Sequence, residues 1–313
     1  MERKSSRAPA GFWMAALNVR ESGLNPQIAA EKPPTRVVSL VPSLTQSLID
    51  LECDDTLVGV TQYCPRPAGE TQAENIGGTH AVDLDKIVTL QPDLILANQE
   101  ENDRADIEAL EEAGLDVWVS FPKSVQDAIE TLWLIARVFR VVKEAAQKIV
   151  LIERSLEWVQ RGASQIDARS VFVPIWQAEA PHPGIYWMTF NHDTYCDSVL
   201  TACGGCNVFK HRNRRYPLEA EFARDFPAEQ AGERDTRYPR VGPEEVLETS
   251  PEIILLPSEP FAFSVEDQRR IADLLRASPA VKNDKIYRID GRWLSWHGTT
   301  LSHALAGLSA YLE

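Results

Sequence analysis

Between Ser124 and Ser164, apolar residues recur at Val125, Ile129, Leu132, Trp133, Ala136, Phe139, Val142, Ala145, Ile149, Ile152, Leu156 and Val159. That three-and-four spacing marks one buried helix face. Charged residues from Asp127 to Arg161 fall mostly in the gaps, and no Gly or Pro interrupts the run before Gly162. A run of about forty residues is long for a single globular helix, so the pattern predicts two pieces with a break near Arg140–Lys143. The second piece, from Val142 to Gly162, would be roughly 30 Å long at ~1.5 Å per residue. With strand-like segments on both sides, it would form a rigid backbone for two α/β halves. The plainer alternative is an ordinary helix pair within one core.

Elsewhere, short β-branched runs alternate with helical patterns. RVVSLV (36–41), LVGVTQ (57–62), PDLILAN (92–98) and 117–121 predict strands in the first half. Helices are predicted after Pro42, after an N-cap at Asp83, and over ADIEALEEAG with Gly114 as its stop. The second half predicts strands at 170–176, 251–257 and 285–290, with helices at 193–203, 242–249 and 298–312. Residues 212–240 read as a long charged surface excursion. PDLIL and PEIIL each follow a short helix, which hints at two similar lobes. Strand–helix alternation of this kind predicts an α/β fold of mostly parallel sheets. The expected organisation is an extension (1–35), an N-terminal lobe (36–141), the backbone helix (142–164) and a C-terminal lobe (165–313).

The length of 313 residues favours two domains. The net charge of −14 argues against nucleic acid as a partner, since a nucleic-acid footprint is basic. No apolar run reaches the length of a membrane span. The N-terminal stretch MERKSSRAPAGFWMAALNV has a basic start but only a short, mildly apolar patch. Five cysteines form an odd, sparse set (Cys53, Cys64, Cys196, Cys203, Cys206), which suits a reducing compartment. Together these features favour a cytoplasmic monomer over a periplasmic one.

Ligands of open α/β sheets gather at the C-terminal ends of strands. That rule selects Tyr63, Thr79, His80, Glu100, Glu101, Trp187, Asn191, Asp193, Trp293, Trp296 and His297. Tryptophan faces stack on flat ligands. His80 and His297 offer imidazole to a metal, although either is equally at home as a hydrogen-bonded loop residue. Glu100 and Glu101 would attract a cationic or metal-bearing ligand, or simply be solvated. Arg237, in a basic cluster with His211–Arg215, Arg234 and Arg240, would face ligand carboxylates or be neutralised by its acidic neighbours. Cys203-Gly-Gly-Cys206 lies after a predicted helix, where the glycines read as a turn. No G-x-S-x-G, P-loop or H-E-x-x-H motif is present.

RVVSLVPSLTQSLIDL, VGVTQYCPRP, IGGTHAVDLDKIVTLQPDLILAN, CGGCNVF and PEEVLETSPEIILL occur in this order. As a set, they resemble the class III periplasmic substrate-binding proteins, the helical-backbone metal receptors of ABC importers. The likeness spans about residues 36–313, and CGGCNVF with RWLSWHG brings it nearest to the cobalamin-binding members. The resemblance implies two α/β lobes, one long connecting helix and a metal chelate held in the cleft between the lobes. It implies no intrinsic cofactor, and an ABC permease as partner. In that pattern one acid on each lobe meets permease arginines. Those positions fall on Asp85 and on Ser295, which carries no charge. A corrin-packing aromatic falls near Thr79. The leading expectation is a corrinoid binder, with siderophore or haem as alternative ligands. A cytosolic chelatase-like or corrinoid-handling enzyme on the same fold is the competing class.

Overall fold

The computed structural model describes residues 32–66, 73–182, 184–223 and 225–312. The predicted N-terminal extension lies outside the described residues up to Glu31. The chain divides into two compact units. One holds the described residues up to Phe121 with Glu130–Ala145, and the other holds Pro122–Ile129 with everything from Ala146 onward.

In the first unit, β1 (Val37–Ser39), β2 (Leu57–Val60), β3 (Glu74–Asn75), β4 (Leu94–Asn98) and β5 (Val117–Ser120) form one sheet in the order β3-β2-β1-β4-β5. Every pairing is parallel. β1 and β4 are buried on both faces, as their unbroken apolar sequence demands. The connecting helices are α1 (Pro42–Asp50), α2 (Leu84–Leu90) and α3 (Arg104–Glu112). The predicted N-cap of α2 is present: the Asp83 carboxylate accepts the Lys86 N–H at 3.0 Å. Gly114, with φ of +82°, ends the turn after α3.

The predicted long helix is two helices, α4 (Val125–Val138) and α5 (Val142–Ala163). Arg140 takes a left-handed φ of +57° at the break. Its N–H donates to the Arg137 carbonyl, and the Val141 N–H reaches back to Ala136. This is a Schellman closure with arginine in the position glycine usually fills. The apolar face of α5 is buried through Ala145, Ile149, Ile152, Leu156 and Val159. The chain passes from one unit to the other inside this helix.

The second unit repeats the plan. β6 (Arg169–Phe172) is followed by a hairpin of β7 (Trp176–Ala180) and β8 (Gly184–Met188), then α6 (Tyr195–Ala202) and β9 (Gly205–Asn207). After α7 (Glu219–Phe222) come β10 (Arg240–Val241), α8 (Pro243–Thr249), β11 (Ile253–Pro257), α9 (Val265–Leu274) and α10 (Pro279–Lys282). β12 (Ile286–Ile289), α11 (Arg292–Ser295) and α12 (Leu301–Leu312) complete it. The parallel sheet runs β12-β11-β6-β9, and β10-β8-β7 form a separate antiparallel sheet. With β3 set aside, β2-β1-β4-β5 and β9-β6-β11-β12 are the same arrangement. The PDLIL and PEIIL match has a structural basis. α2 and α8 both end on a left-handed residue, Gln91 and Ser250, before Pro92 and Pro251 lead into β4 and β11.

The hairpin and β9 were not predicted, and the hairpin corrects one predicted site residue. β8 alternates inward and outward with period two, and Trp187 falls on the inward side at 0% exposure. Its ring meets Phe172 edge to face at 5.7 Å, and its indole N–H donates to Gln177 on the paired strand at 2.9 Å. Trp187 is therefore core, not a ligand contact. The Cys203–Cys206 segment is the predicted turn. Gly204 has φ of +95°, and a Cβ on Gly205 would lie 2.6 Å from Leu200.

His297 is a second correction, because it lies at 4% exposure at the start of the turn into α12. Its ring stands edge-on to Tyr195 with centroids 6.1 Å apart, so it is not an axial ligand open to a chelate. Burial lowers its pKa from 6.5 to about 4.

Two predictions follow from this packing. Ala146→Pro removes an intrahelical hydrogen bond from α5 and clashes with the preceding turn. It should destabilise the protein by about 3 kcal/mol or more, and an unchanged thermal midpoint would refute the role given to α5. The second concerns acid. Folded His297 stays neutral to about pH 4, whereas the unfolded chain protonates it near 6.5. Stability present above pH 6.5 should fall as pH drops toward 4, by on the order of 3 kcal/mol. Denaturant titrations of His297→Gln over that range should show a flatter pH slope than the parent, and parallel slopes would contradict the assignment.

Candidate functional site

Because both main sheets are parallel, all their C-terminal strand ends lie along one edge of each unit, where the loops collect the polar residues. In the first unit a small network holds these loops together. Asn102 is buried, and its Nδ2 donates to the carbonyls of Thr79 (3.0 Å) and Leu40 (3.4 Å) while its Oδ1 accepts the Asn98 N–H at 2.8 Å. One side chain thus joins the exits of β1, β3 and β4. Asn98 Oδ1 in turn accepts the Glu100 N–H at 2.8 Å, and Asn98 Nδ2 donates to Ser120 at the end of β5. Tyr63, at 61% exposure, stands at the exit of β2, and a Cβ on Gly78 would sit 3.7 Å from its ring.

The predicted residues of this unit therefore share one edge. Thr79 contributes its carbonyl to the network. The His80 side chain, 65% exposed, lies 3.2 Å from the Asp103 carboxylate. Glu100 is exposed and Glu101 half-buried on the β4 loop. Asp85 is exposed in the first turn of α2.

In the second unit the predicted residues scatter into different roles. Asn191 is buried, accepts the Asp193 N–H at 3.0 Å and donates to Asn213 at 2.8 Å, so it braces a loop rather than facing a ligand. Asp193 is half-exposed and pairs with Lys123 at 3.1 Å. Arg237 is taken up by Asp235 through Nε at 3.0 Å. Burial pushes the Asp235 carboxyl up, but Arg237 outweighs it and holds the pKa below the ordinary value. Two more arginines of the basic cluster are neutralised in the same way. Arg212 bridges Glu221 (2.9 Å) and Glu245 (2.8 Å), and Arg234 meets Glu229 at 3.0 Å. Trp293 packs under α12, where a Cβ on Gly307 would come within 2.5 Å of its ring. That is the structural role weighed against ligand contact for this residue.

Trp296 remains at the strand-end edge, half-buried, with the Arg292 guanidinium 5.7 Å from its ring. At the strand ends of this unit stand three residues that the sequence did not single out, of which Glu259 touches Trp296. Glu259, on the β11 exit, accepts the Ser295 hydroxyl at 3.0 Å and a hydrogen bond from the Trp296 side chain. Burial raises its pKa against the pull of those bonds. Trp176, 45% exposed, opens β7 just past the β6 exit, and its ring meets Phe261 on the β11 loop edge to face at 5.6 Å. Phe261 in turn packs at a tilt against Phe263, with centroids 4.7 Å apart. β6 and β11 are the two central strands of this sheet, and the chain turns to opposite sides after them, so an aromatic surface there occupies the topological switch point. The signal was present in the sequence: Trp176 follows the buried run SVFVPI, and Phe261 follows PEIILLP.

A cavity of ≈ 680 Å³ lies elsewhere in this unit, lined by His182, Arg215, Glu221, Phe222, Glu244 and Glu248 among others. Its largely charged wall contrasts with the Trp176–Phe261 surface. Among the described residues no helix is long and apolar enough to cross a membrane.

Residues 37–292 match the family described as periplasmic binding protein. The chain is 25% identical, over 98% of its length and 89% of the relative, to YvrC of Bacillus subtilis strain 168, an uncharacterized ABC transporter substrate-binding lipoprotein. It is 22% identical to a vitamin B12-binding protein of Vibrio cholerae over 93% of this chain and 94% of that one. Among solved structures, the periplasmic vitamin B12 binding protein BtuF of Vibrio cholerae superposes with a TM-score of 0.64 at 21% identity, covering 89% of this chain and 96% of that one. A periplasmic heme binding protein from Pseudomonas aeruginosa superposes with a TM-score of 0.68 at 19% identity, covering 89% and 92%. These likenesses carry the class III substrate-binding fold.

They also correct the cytoplasmic expectation, since a periplasmic family and a lipoprotein relative point outside the cytoplasm. The cysteine argument behind that expectation fails on physical grounds. Cys53, Cys64 and Cys203 are buried, and burial raises the pKa of the Cys64 thiol and moves that of Cys203 to about 11. Thiols held in the protonated form are inert, so free cysteines are compatible with an oxidising compartment. The relatives bind substrate and are not enzymes. With 37–292 matched and both units built to one plan, this chain belongs to the periplasmic binding protein family.

Proposed function

We propose that this protein is the substrate-binding component of an ABC-type importer for a flat metal chelate, a corrinoid ahead of haem or a siderophore. The observation that carries the reading is the aromatic surface of Trp176 and Phe261 at the switch point of the second sheet. A corrin is broad and flat, with amide-bearing edges, and needs an apolar face to stack on and polar groups at its rim. Trp176, Phe261 and Trp296 are suited to such a face in the second unit, and in the first unit Tyr63 is the exposed aromatic at a strand end. Arg292 is suited to the rim of that face, and Thr79, Glu100 and Glu101 offer polar groups at the strand ends of the first unit. The vitamin B12-binding relatives, which match 93% of this chain in Vibrio cholerae and 71% in Photorhabdus laumondii, support a corrinoid as first choice. The ligand is cargo, and the reading needs no resident cofactor. For delivery to a permease, Asp85 is the exposed acid of the first unit. Glu259, hydrogen-bonded to Ser295, puts a carboxylate beside the uncharged second position.

Titration of the protein with cobinamide and with cobalamin should quench tryptophan fluorescence with micromolar or tighter affinity. Trp176→Ala and Trp296→Ala should each weaken binding about tenfold, since one decade is ~1.4 kcal/mol. Trp187→Phe should lower stability and leave affinity unchanged. Binding of ferric haem with no response to either corrinoid would overturn the corrinoid assignment. Full corrinoid affinity in both Trp176→Ala and Trp296→Ala would overturn the proposed surface.

A further inference from the structure

His192 and His211 form an arrangement that the chelate surface does not use. His192 lies four residues beyond β8, and His211 four residues beyond β9. Both side chains are exposed, and their ring centroids are 5.7 Å apart with the planes at 57°. His192 Nδ1 is 2.6 Å from the Lys210 carbonyl oxygen. A carbonyl only accepts, so Nδ1 carries the proton and Nε2 carries the lone pair. A ring N–H tied to a backbone carbonyl is how proteins fix the tautomer of a metal-ligating histidine.

The loops that carry the two rings are locked to each other. The His192 backbone N–H also donates to the Lys210 carbonyl, at 2.9 Å. Buried Asn207 donates to the Phe190 carbonyl (2.9 Å) and to Asp197 (2.8 Å), and its Oδ1 accepts the Phe209 N–H at 2.9 Å. Asn191 bonds Asn213 across the same pair of loops at 2.8 Å. The loops that carry the two imidazoles are thus held together before any ligand arrives.

We propose that His192 and His211 together ligate a borderline divalent transition metal of the Zn²⁺, Ni²⁺ and Cu²⁺ class, which imidazole nitrogen suits. With metal–nitrogen bonds of about 2.0–2.1 Å, two imidazoles on one tetrahedral metal have ring centroids roughly 5 Å apart. The observed 5.7 Å reaches that by a small side-chain rotation. Among the described residues no group of three His, Cys, Asp or Glu side chains is arranged to hold a metal ion. The pair therefore fills two adjacent positions and leaves the others to water or to a small chelator that the metal brings with it. A planar macrocycle would take the rings on opposite faces and so would have to pass between two loops that are hydrogen-bonded directly to each other. The site is therefore independent of the tetrapyrrole reading.

The test is calorimetry on the full chain without any added polyhistidine, using Ni²⁺ alone and Ni²⁺ bound to nitrilotriacetate, which leaves two adjacent positions open. The expected result is one-to-one binding of at least one of them. His192→Phe and His211→Phe, which keep a ring and remove the nitrogens, should each weaken it at least tenfold, and His80→Ala and His182→Ala should leave it unchanged. Binding of both forms assigns a metal that arrives chelated, and binding of the bare ion alone assigns a free cation. Circular dichroism melts of each variant establish that it is folded. Absence of binding by either form, or equal binding by the parent and the folded His192→Phe/His211→Phe double variant, overturns the proposal. Cobinamide quenching measured on that same double variant separates this site from the chelate surface, and should be unaffected.

Discussion

Parallel strand pairing is the constraint from which the rest of this molecule follows. β1 with β4 and β6 with β11 are central pairs that run the same way, and of these β1, β4 and β11 are buried throughout. Each must be reached by a crossover, so helices cover the sheets and every C-terminal strand end emerges on one edge. The groups able to bind a ligand are the ones that edge exposes: Tyr63, Thr79, His80, Glu100 and Glu101 in one unit, and Trp176, Glu259, Phe261 and Trp296 in the other. Both units set the central strand in place with the same device, a left-handed residue followed by proline. That device is visible in the sequence as PDLIL and PEIIL.

Where backbone periodicity carried the signal, the fold was legible. The break of the long helix at Arg140, the cap at Asp83, the stop at Gly114 and the strands β1, β4, β5 and β11 were all written locally. What escaped was short or depended on a distant partner. β3 and β9 have two and three residues and exist only because β2 and β6 offer open edges. α9, with a capping box at Ser264 and Asp267, had a readable start signal but little apolar content to mark it.

The site was half legible for a related reason. In the first unit, nearness to a strand end was enough, because each loop follows its strand directly. In the second unit the extra hairpin broke that rule. Trp187 was assigned to a strand exit when it lies inside β8, on the face that period-two alternation sends to the core. Trp176, taken as the tail of a strand, is the residue that stands open. The basic cluster could not be judged from sequence either. Whether Arg212 and Arg237 are available depends on Glu221, Glu245 and Asp235, and only the fold brings Glu221 and Glu245 to Arg212. Asn102, Asn191 and Asn207 illustrate the opposite case, since they shape the loops by satisfying buried backbone groups and leave the recognition surface to their neighbours.

Hydrogen–deuterium exchange of the protein with and without cobinamide tests the central claim most directly, that the ligand is received at strand-end loops. The account predicts added protection at residues 61–64, 76–80, 99–103, 174–176, 258–263 and 290–297, with none at the outer face of α5. Protection confined to the segments around His182, Phe222 and Glu244–Glu248, with the strand-end loops unchanged, would contradict it.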